Sequence, residues 1–258
     1  MFSNQSLAID GAVEMWLFYQ SEWFEIPFST LGKISRKKIA DSDFYRHFYF
    51  ELFKKYKCYN SLPQNWQNEK IEIAKFILQK ASFDRNLLSI GSGIGFVEHS
   101  ICKLNQQVTV VGLEPSLLEN PLFQSSQRFK VINGYFPQAL NGSDIPNFGY
   151  SLAIEYGMTD YDFLNFSIEI KNSNLKRFLF LSASTVPDAS FLTRATIWQL
   201  RSLKQWIHSY LKPVQRWGYV RSPSEHKAIF KKARLNILEE GFILGYWYCV
   251  IINQIENI

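Results

Sequence analysis

The chain has 258 residues, 47% of them apolar, and a formal charge of +5. That is enough for one α/β domain with an added element; it excludes a disordered polar chain, and the charge is too mild to name a partner. No apolar run reaches the roughly 18 residues of a membrane-spanning helix. Asp10 and Glu14 precede the first Lys or Arg, so the start does not read as a signal peptide. Cys58, Cys102 and Cys249 are scattered and form no CxxC pair, which fits neither a disulfide framework nor zinc. A cytoplasmic protein without a metal site is expected.

Residues 1–80 are aromatic-rich and read as mostly helical. Between Asp43 and Lys57, Phe44, Phe48, Leu52 and Tyr56 recur at steps of four; Ile71, Ile73, Ala74, Ile77 and Leu78 repeat the pattern between Asn68 and Lys80. A helical extension or lid over 1–65 is therefore expected ahead of an α/β domain over 66–258. From Leu87 the rhythm changes. Leu87–Ile90, Val108–Leu113, Phe129–Ile132, Tyr150–Ile154 and Phe178–Ala183 read as five buried parallel strands separated by helices. After a helix around Glu225–Ala233, Leu235–Leu238 and Tyr246–Ile252 are joined by too short a link for a crossover and should pair antiparallel.

The segment Leu87-Leu88-Ser89-Ile90-Gly91-Ser92-Gly93-Ile94-Gly95-Phe96-Val97-Glu98 runs a buried strand through three alternate glycines into a helix. Glycine permits a tight turn and admits a ligand without a Cβ in its way. The helix start offers unpaired N–H groups. Glu114 closes the next strand, 19 positions after Gly95, the spacing of a carboxylate that accepts ribose hydroxyls. A dinucleotide turn would carry its third glycine at Phe96. The GxGxG spacing instead resembles motif I of class I S-adenosylmethionine-dependent methyltransferases, over roughly residues 66–252.

The resemblance implies a Rossmann-like, mostly parallel seven-stranded α/β sheet with a C-terminal antiparallel hairpin, and S-adenosyl-L-methionine as cofactor. It implies a cofactor site of Ser89, Gly91, Ser92, Gly93, Gly95, Glu114, Pro115, Gly134, Tyr135, Phe136 and Glu155. Two positions depart from the family. Ser89 stands where an acid near the methionine end is usual, and Tyr135 where an Asp often bonds the adenine amino group; Tyr135 or Phe136 would instead pack on the adenine face.

The fourth strand leads into Ile154-Glu155-Tyr156-Gly157-Met158-Thr159-Asp160-Tyr161-Asp162, which in that family faces the transferable methyl. Glu155 and Tyr156 are the catalytic candidates, with Glu155 as base or cofactor contact; the competing reading has Glu155 cap the next helix or orient the loop. Asp160 and Asp162 should open the next helix. No Pro-Pro-aromatic run and no nearby cysteine occur, which excludes amino methylation of nucleobases and cytosine C5 chemistry. Ser182, Ser184 and Thr185 at the end of the fifth strand argue against a metal. The expected acceptor is a small or carrier-linked metabolite, methylated at oxygen or nitrogen.

Residues 190–234 hold ten Lys or Arg and one acid, Glu225, interleaved with Trp198, Trp206, Trp217 and Tyr219. A long helix over Leu192–Leu211 is expected. The segment is either a solvated face with core aromatics or a docking surface for an acidic partner, RNA included. His208 and His226 read as surface or packing residues. Tyr45, His47, Tyr49 and Tyr56 would form a water-excluding lid. A catalytically silent cofactor-binding scaffold remains a further reading; an NAD-dependent oxidoreductase is disfavoured by Phe96 and the hairpin. The oligomeric state is left open.

Overall fold

The computed structural model describes residues 17–32, 34–35, 38–116, 127–140, 145–183, 188 and 213–253. The expected helix over 192–211 lies outside them. Seven strands form the central sheet: β4 (Asn86–Ile90), β5 (Thr109–Leu113), β6 (Phe129–Ile132), β7 (Phe148–Leu152), β8 (Arg177–Ser182), β10 (Asn236–Ile243) and β11 (Tyr246–Ile252). Their spatial order is β10-β11-β8-β7-β4-β5-β6, with β4 to β8 parallel and β11 antiparallel to both β8 and β10. The order reverses between β4 and β7. A crevice for ligands opens outside the carboxyl ends of the strands at such a switch point.

Successive residues of a strand face opposite sides, and both sides are covered. Leu87, Val110, Tyr150 and Leu179 meet Ile73, Ala74 and Ile77 of α2 (Gln64–Ala81) and Val97 and Ile101 of α3 (Phe96–Leu104). Leu88, Ile90, Phe178 and Phe180 meet Phe163, Phe166 and Ile170 of α4 (Asp160–Asn172) and Ile229 and Phe230 of α5 (Pro223–Lys232). Burial on both faces explains why these strands read as continuous apolar runs rather than alternating ones.

The helix α1 (Ser42–Lys55) starts at Asp41, whose side chain accepts the Phe44 N–H at 2.9 Å, and it buries Phe44, Phe48 and Leu52 on the face their spacing predicts. Among the described residues ahead of it the chain forms short strands and one 3-10 turn, Phe28–Leu31, rather than a long helix. Strand β1 (Leu17–Gln20) pairs antiparallel with β9 (Gln215–Tyr219), and β2 (Glu22–Trp23) with β3 (Ile26–Pro27). The Gln215 side chain pins this connection, accepting from Ser35 N at 2.7 Å and donating to Lys38 O at 2.8 Å. Trp23, Phe28, Phe44, Phe48 and Trp217 form an aromatic cluster that reaches Ile94 and Phe96 beside the glycine turn.

The terminal hairpin differs from expectation in its turn. Glu239–Phe242 lie within β10, and the reversal falls at Leu244-Gly245, both at positive φ (50° and 83°). A two-residue turn with that backbone matches the twist of the paired strands.

Candidate active site

Gly91, Gly93 and Gly95 all take left-handed backbone, with φ of 76°, 57° and 75°. A Cβ on Gly91 would stand 2.3 Å from Ile154 Cγ2, so the turn closes against the end of β7 only without a side chain there. Gly91 N and Ser92 N both donate to Leu113 O, at 2.9 and 3.1 Å. The turn is thereby tied to the end of β5, where Glu114 lies buried. Glu114 Oε2 accepts Gly93 N at 2.9 Å and Oε1 accepts Ser116 N at 2.9 Å, across Pro115. Each carboxylate oxygen retains acceptor capacity. Burial pushes the Glu114 pKa up, against the backbone donors that lower it. Ser92 lies over Gly112 and its Oγ has no hydrogen-bond partner among the described residues.

Beyond β6, Gly134 and the next two residues divide. Tyr135 is 63% exposed, whereas Phe136 packs edge-on against Phe166 at 6.3 Å within the core. Tyr135 alone of the pair is exposed.

At the end of β7, Ala153 takes a left-handed φ of 55° and turns the chain back toward β8. Glu155 is 1% exposed; its Oε1 accepts Ser182 Oγ at 2.5 Å and its Oε2 has no partner among the described residues. Burial pushes its pKa up to about 7, partly opposed by Ser182 and Arg221. Glu155 does not cap α4. Thr159 does, in a reciprocal box with Asp162. Asp160 opens the same helix and pairs with Arg221.

Arg221 belongs to the basic stripe over 190–234 but is not a surface charge. It is 1% exposed, and it clamps the loop that carries Glu155: Nε donates to Asp160 Oδ1 at 2.9 Å, Nη1 to Glu155 O at 2.9 Å and Nη2 to Met158 O at 2.7 Å. A sequence signal was available. Ser222-Pro223-Ser224-Glu225 is a capping box with proline at the first helical position, which fixes Arg221 at the junction of β9 and α5. Trp217 in the same stripe is also buried. It stacks on Tyr156 with ring centroids 6.0 Å apart. His226 is fully buried, donates Nδ1–H to Ser222 O at 2.9 Å, and packs among Phe163, Phe180 and Trp247. Burial holds its pKa down to about 3, so it is a neutral packing residue.

Tyr156 and Tyr45 share a hydroxyl hydrogen bond of 2.6 Å. The Tyr49 hydroxyl lies 3.5 Å from where a Cβ on Gly93 would stand. Burial raises the pKa of all three phenols, so they serve as hydrogen-bonding groups and not as bases. Gly218 of β9 lets this wall close, since a Cβ there would stand 2.4 Å from Tyr156 O. Two other expected lid residues face elsewhere: Tyr56 donates to Phe24 O at 3.3 Å and His47 Nδ1 bonds Asp43 O at 2.7 Å.

Ser89 is 2% exposed and points away from the turn's open side. Its Oγ donates at 2.6 Å to Glu98 Oε1, which also accepts Tyr150 Oη at 3.0 Å. Sequence reading quoted Glu98 inside the motif and gave it no role.

No protein-family model and no curated protein matches the sequence. Solved structures do. The mitomycin 7-O-methyltransferase MmcR aligns with a TM-score of 0.52 at 15% identity, over 73% of this chain and 54% of that one. CalO1, a methyltransferase of calicheamicin biosynthesis solved with S-adenosylhomocysteine, gives 0.53 at 15% identity, over 83% and 59%. Human N-acetylserotonin methyltransferase in complex with S-adenosylmethionine gives 0.55 at 14% identity, over 87% and 61%. The fold is that of the class I methyltransferases. This chain spans less than two thirds of the length of each of the three structures. In the methyltransferase fold observed here, the glycine turn, Glu114 and the Glu155 loop all gather at the carboxyl ends of β4, β5 and β7.

Proposed function

We propose that this chain transfers a methyl group from S-adenosylmethionine to a hydroxyl of a small-molecule acceptor. The observation that carries the reading is the pairing of a glycine turn held by Glu114 with a buried, half-partnered carboxyl, Glu155, at the switch point of the sheet. The residues fit the cofactor: Gly93 leaves space where a Cβ would stand, with only the Tyr49 hydroxyl within 4 Å, Glu114 has acceptor capacity for two ribose hydroxyls, and Tyr135 is exposed to cover the adenine. When bound, the cofactor supplies an electrophilic methyl on a sulfonium that leaves as a neutral thioether.

The chain's own residues then have separate tasks. Glu155, with a pKa near neutrality, is the group that would take the acceptor hydroxyl's proton, on Oε2. Ser182 holds its other oxygen, and Arg221 fixes the loop so that the base does not wander. Tyr45, Tyr49 and Tyr156 exclude water from the reacting centre. A small acceptor is supported by the three structural neighbours, whose names denote methylation of mitomycin, work in calicheamicin biosynthesis and methylation of N-acetylserotonin.

The RNA reading has less support. In the described part of the basic segment Arg221 is buried and Lys227 pairs with Glu240 at 3.0 Å. Lys231, Lys232 and Arg234 are exposed, but they precede β10, whose first residue Asn236 registers with Ile252 and through it with Arg177 at the start of β8. That is the edge of the sheet opposite the glycine turn.

Titration calorimetry with S-adenosylmethionine and S-adenosylhomocysteine, followed by transfer of labelled methyl to a panel of phenols and alcohols, tests the proposal. Micromolar binding that is lost in Glu114→Ala is expected; unchanged affinity in that variant removes the assignment.

A further inference from the structure

The amino edge of the sheet, on the side away from the glycine turn, carries a row of cations. Arg85 immediately precedes β4, Arg128 precedes β6 and Lys176 precedes β8, while Arg234 comes two residues before β10. In the order β10-β11-β8-β7-β4-β5-β6 every second strand is therefore headed by a Lys or Arg. With strands about 4.8 Å apart, the row has a step of about 10 Å and a length of roughly 30 Å. The helices run back to the same edge, and α3 and α5 bring Lys103, Lys231 and Lys232 in their last turns. Arg85, Lys103, Lys176, Lys231, Lys232 and Arg234 are all exposed, and none is ion-paired among the described residues.

Part of this charge answers the negative ends of helices. Arg128, for one, donates to Cys102 O and Asn105 O at the end of α3. Helix ends account for neither Arg85 nor Lys176, and they do not account for the scarcity of acids. In the described turns 82–85, 105–108, 127–128, 145–147, 173–176 and 233–235 the one acid is Asp84, and Arg177 takes it at 2.6 Å. Glu169 stands a turn further back on α4. Two apolar side chains stand out among the cations: Phe83 is 97% exposed and Leu104 47%. They belong to the connections entering β4 and β5, which are neighbours in the sheet. Ser82 ends α2 on a left-handed backbone, with φ of 56°, immediately before Phe83. A strained residue beside a bare phenylalanine costs the free protein on both counts.

Cations at steps of about 10 Å are sparse for a nucleic acid, whose strands bring a phosphate every few ångströms. An anionic bilayer accepts basic side chains around protruding apolar ones: the cations meet headgroups and the apolar tips sink between them. We infer that the amino edge of the sheet docks on a membrane surface rich in anionic lipid, with Arg85, Lys176 and Arg234 on the headgroups and Phe83 and Leu104 inserted. Docking there leaves the carboxyl edge, with Glu114 and Glu155, turned to water. It is independent of the proposed reaction.

Sedimentation of the whole chain with vesicles tests it. Vesicles of phosphatidylcholine mixed with phosphatidylserine should carry the protein down, vesicles of phosphatidylcholine alone should not, and high salt should release it. A triple variant, Arg85→Gln with Lys176→Gln and Arg234→Gln, should bind the mixed vesicles at least tenfold more weakly, since each cation contributes about fivefold at an anionic surface. Phe83→Ser should weaken binding at least fivefold and leave its salt dependence in place. Both variants change exposed side chains, so their melts should match wild type. Equal sedimentation with the two lipids, sedimentation with neither, or undiminished binding by either variant overturns the inference. So does salt-sensitive capture by polyuridylate RNA without vesicle binding, which would make the row a nucleic-acid surface.

Discussion

Glu155→Gln should make the ligand-free protein more stable at pH 8 and less stable at pH 5. The carboxyl has an ordinary pKa of 4.5 and stands at about 7 in the folded chain, chiefly through burial. The native state therefore keeps a proton that the unfolded chain has released between those values. Stability contributed this way is full below pH 4.5 and falls as pH rises through 7, a loss of about 3 kcal/mol. Glutamine carries no charge and escapes that loss. Its Oε1 can still accept the Ser182 hydroxyl, but its amide nitrogen would occupy the place of the bare Oε2, an unpaired donor that costs about 1–3 kcal/mol at every pH. The balance is a gain of up to about 2 kcal/mol at pH 8 and a loss of up to about 2 kcal/mol at pH 5, or up to about 8 °C in Tm in each direction for a chain of this size. Calorimetric melts of both proteins at the two pH values measure it. The same Tm difference at pH 5 and pH 8 would refute the reasoning, because only the titration of Glu155 makes the difference change sign. Methyl transfer by the variant should fall at least a hundredfold, since general bases contribute on that scale.

Three further outcomes are expected. Gly91→Ala meets Ile154 Cγ2 at 2.3 Å on a left-handed backbone, so it should cost about 2 kcal/mol or more in urea unfolding and abolish cofactor binding; tight binding in the variant would show that the turn is not the cradle. Arg221→Leu strips the clamp from Asp160 and the two carbonyls, at about 3–5 kcal/mol for an abandoned buried ion pair. Near-wild-type stability there would mean that the loop holds itself. His226 is neutral in the fold, with its pKa held down to about 3 from 6.5, so the unfolded chain binds its proton first; it stabilises above pH 6.5 and that stability is lost as pH falls toward 3, by at most about 5 kcal/mol. His226→Phe should flatten the acid limb of a stability-against-pH curve, and an unchanged limb would count against the burial.

Much of the sheet was legible because both of its faces are buried. A run such as Phe178–Leu181 has no polar alternation to blur its limits, and β6 and β11 lie where they were expected. What was misread had the opposite character. The short strands β1 to β3 take their order from partners far away in the sequence, β1 from β9 above all, and a four-residue strand carries too little pattern to announce itself. Glu239–Phe242 looked like a turn because of its acids and glycine, yet β10 is an edge strand, where exposed charge is normal. The same logic holds in the candidate site. The glycine turn and Glu114 are visible because a tight strand-to-helix turn and the acid that ties it depend on backbone spacing. Arg221 and Glu98 were hidden because their importance comes from what they meet across the fold: a charged residue in a charged stripe, and an acid one turn into a helix, both look like surface until the chain is folded.

The cost of the site is concentrated in its acids. Glu98 and Glu155 are each pushed up to about 7, Glu114 is raised as well, and all three are buried with no lysine paired to them. Elsewhere in the chain the opposite habit prevails: Asp84 meets Arg177, Glu239 meets Lys80, and Glu69 meets Lys70 and the Tyr246 hydroxyl. The sequence is thus able to pair its acids and does so at several places away from the site. At the carboxyl edge of β4, β5 and β7 it leaves two carboxylate oxygens bare, Glu98 Oε2 and Glu155 Oε2. A positively charged ligand that binds only the folded chain returns that energy as affinity, because whatever the folded state lacks the complex can supply. The same burial that penalises Glu155 in the free protein gives it the near-neutral pKa that the proposed base needs.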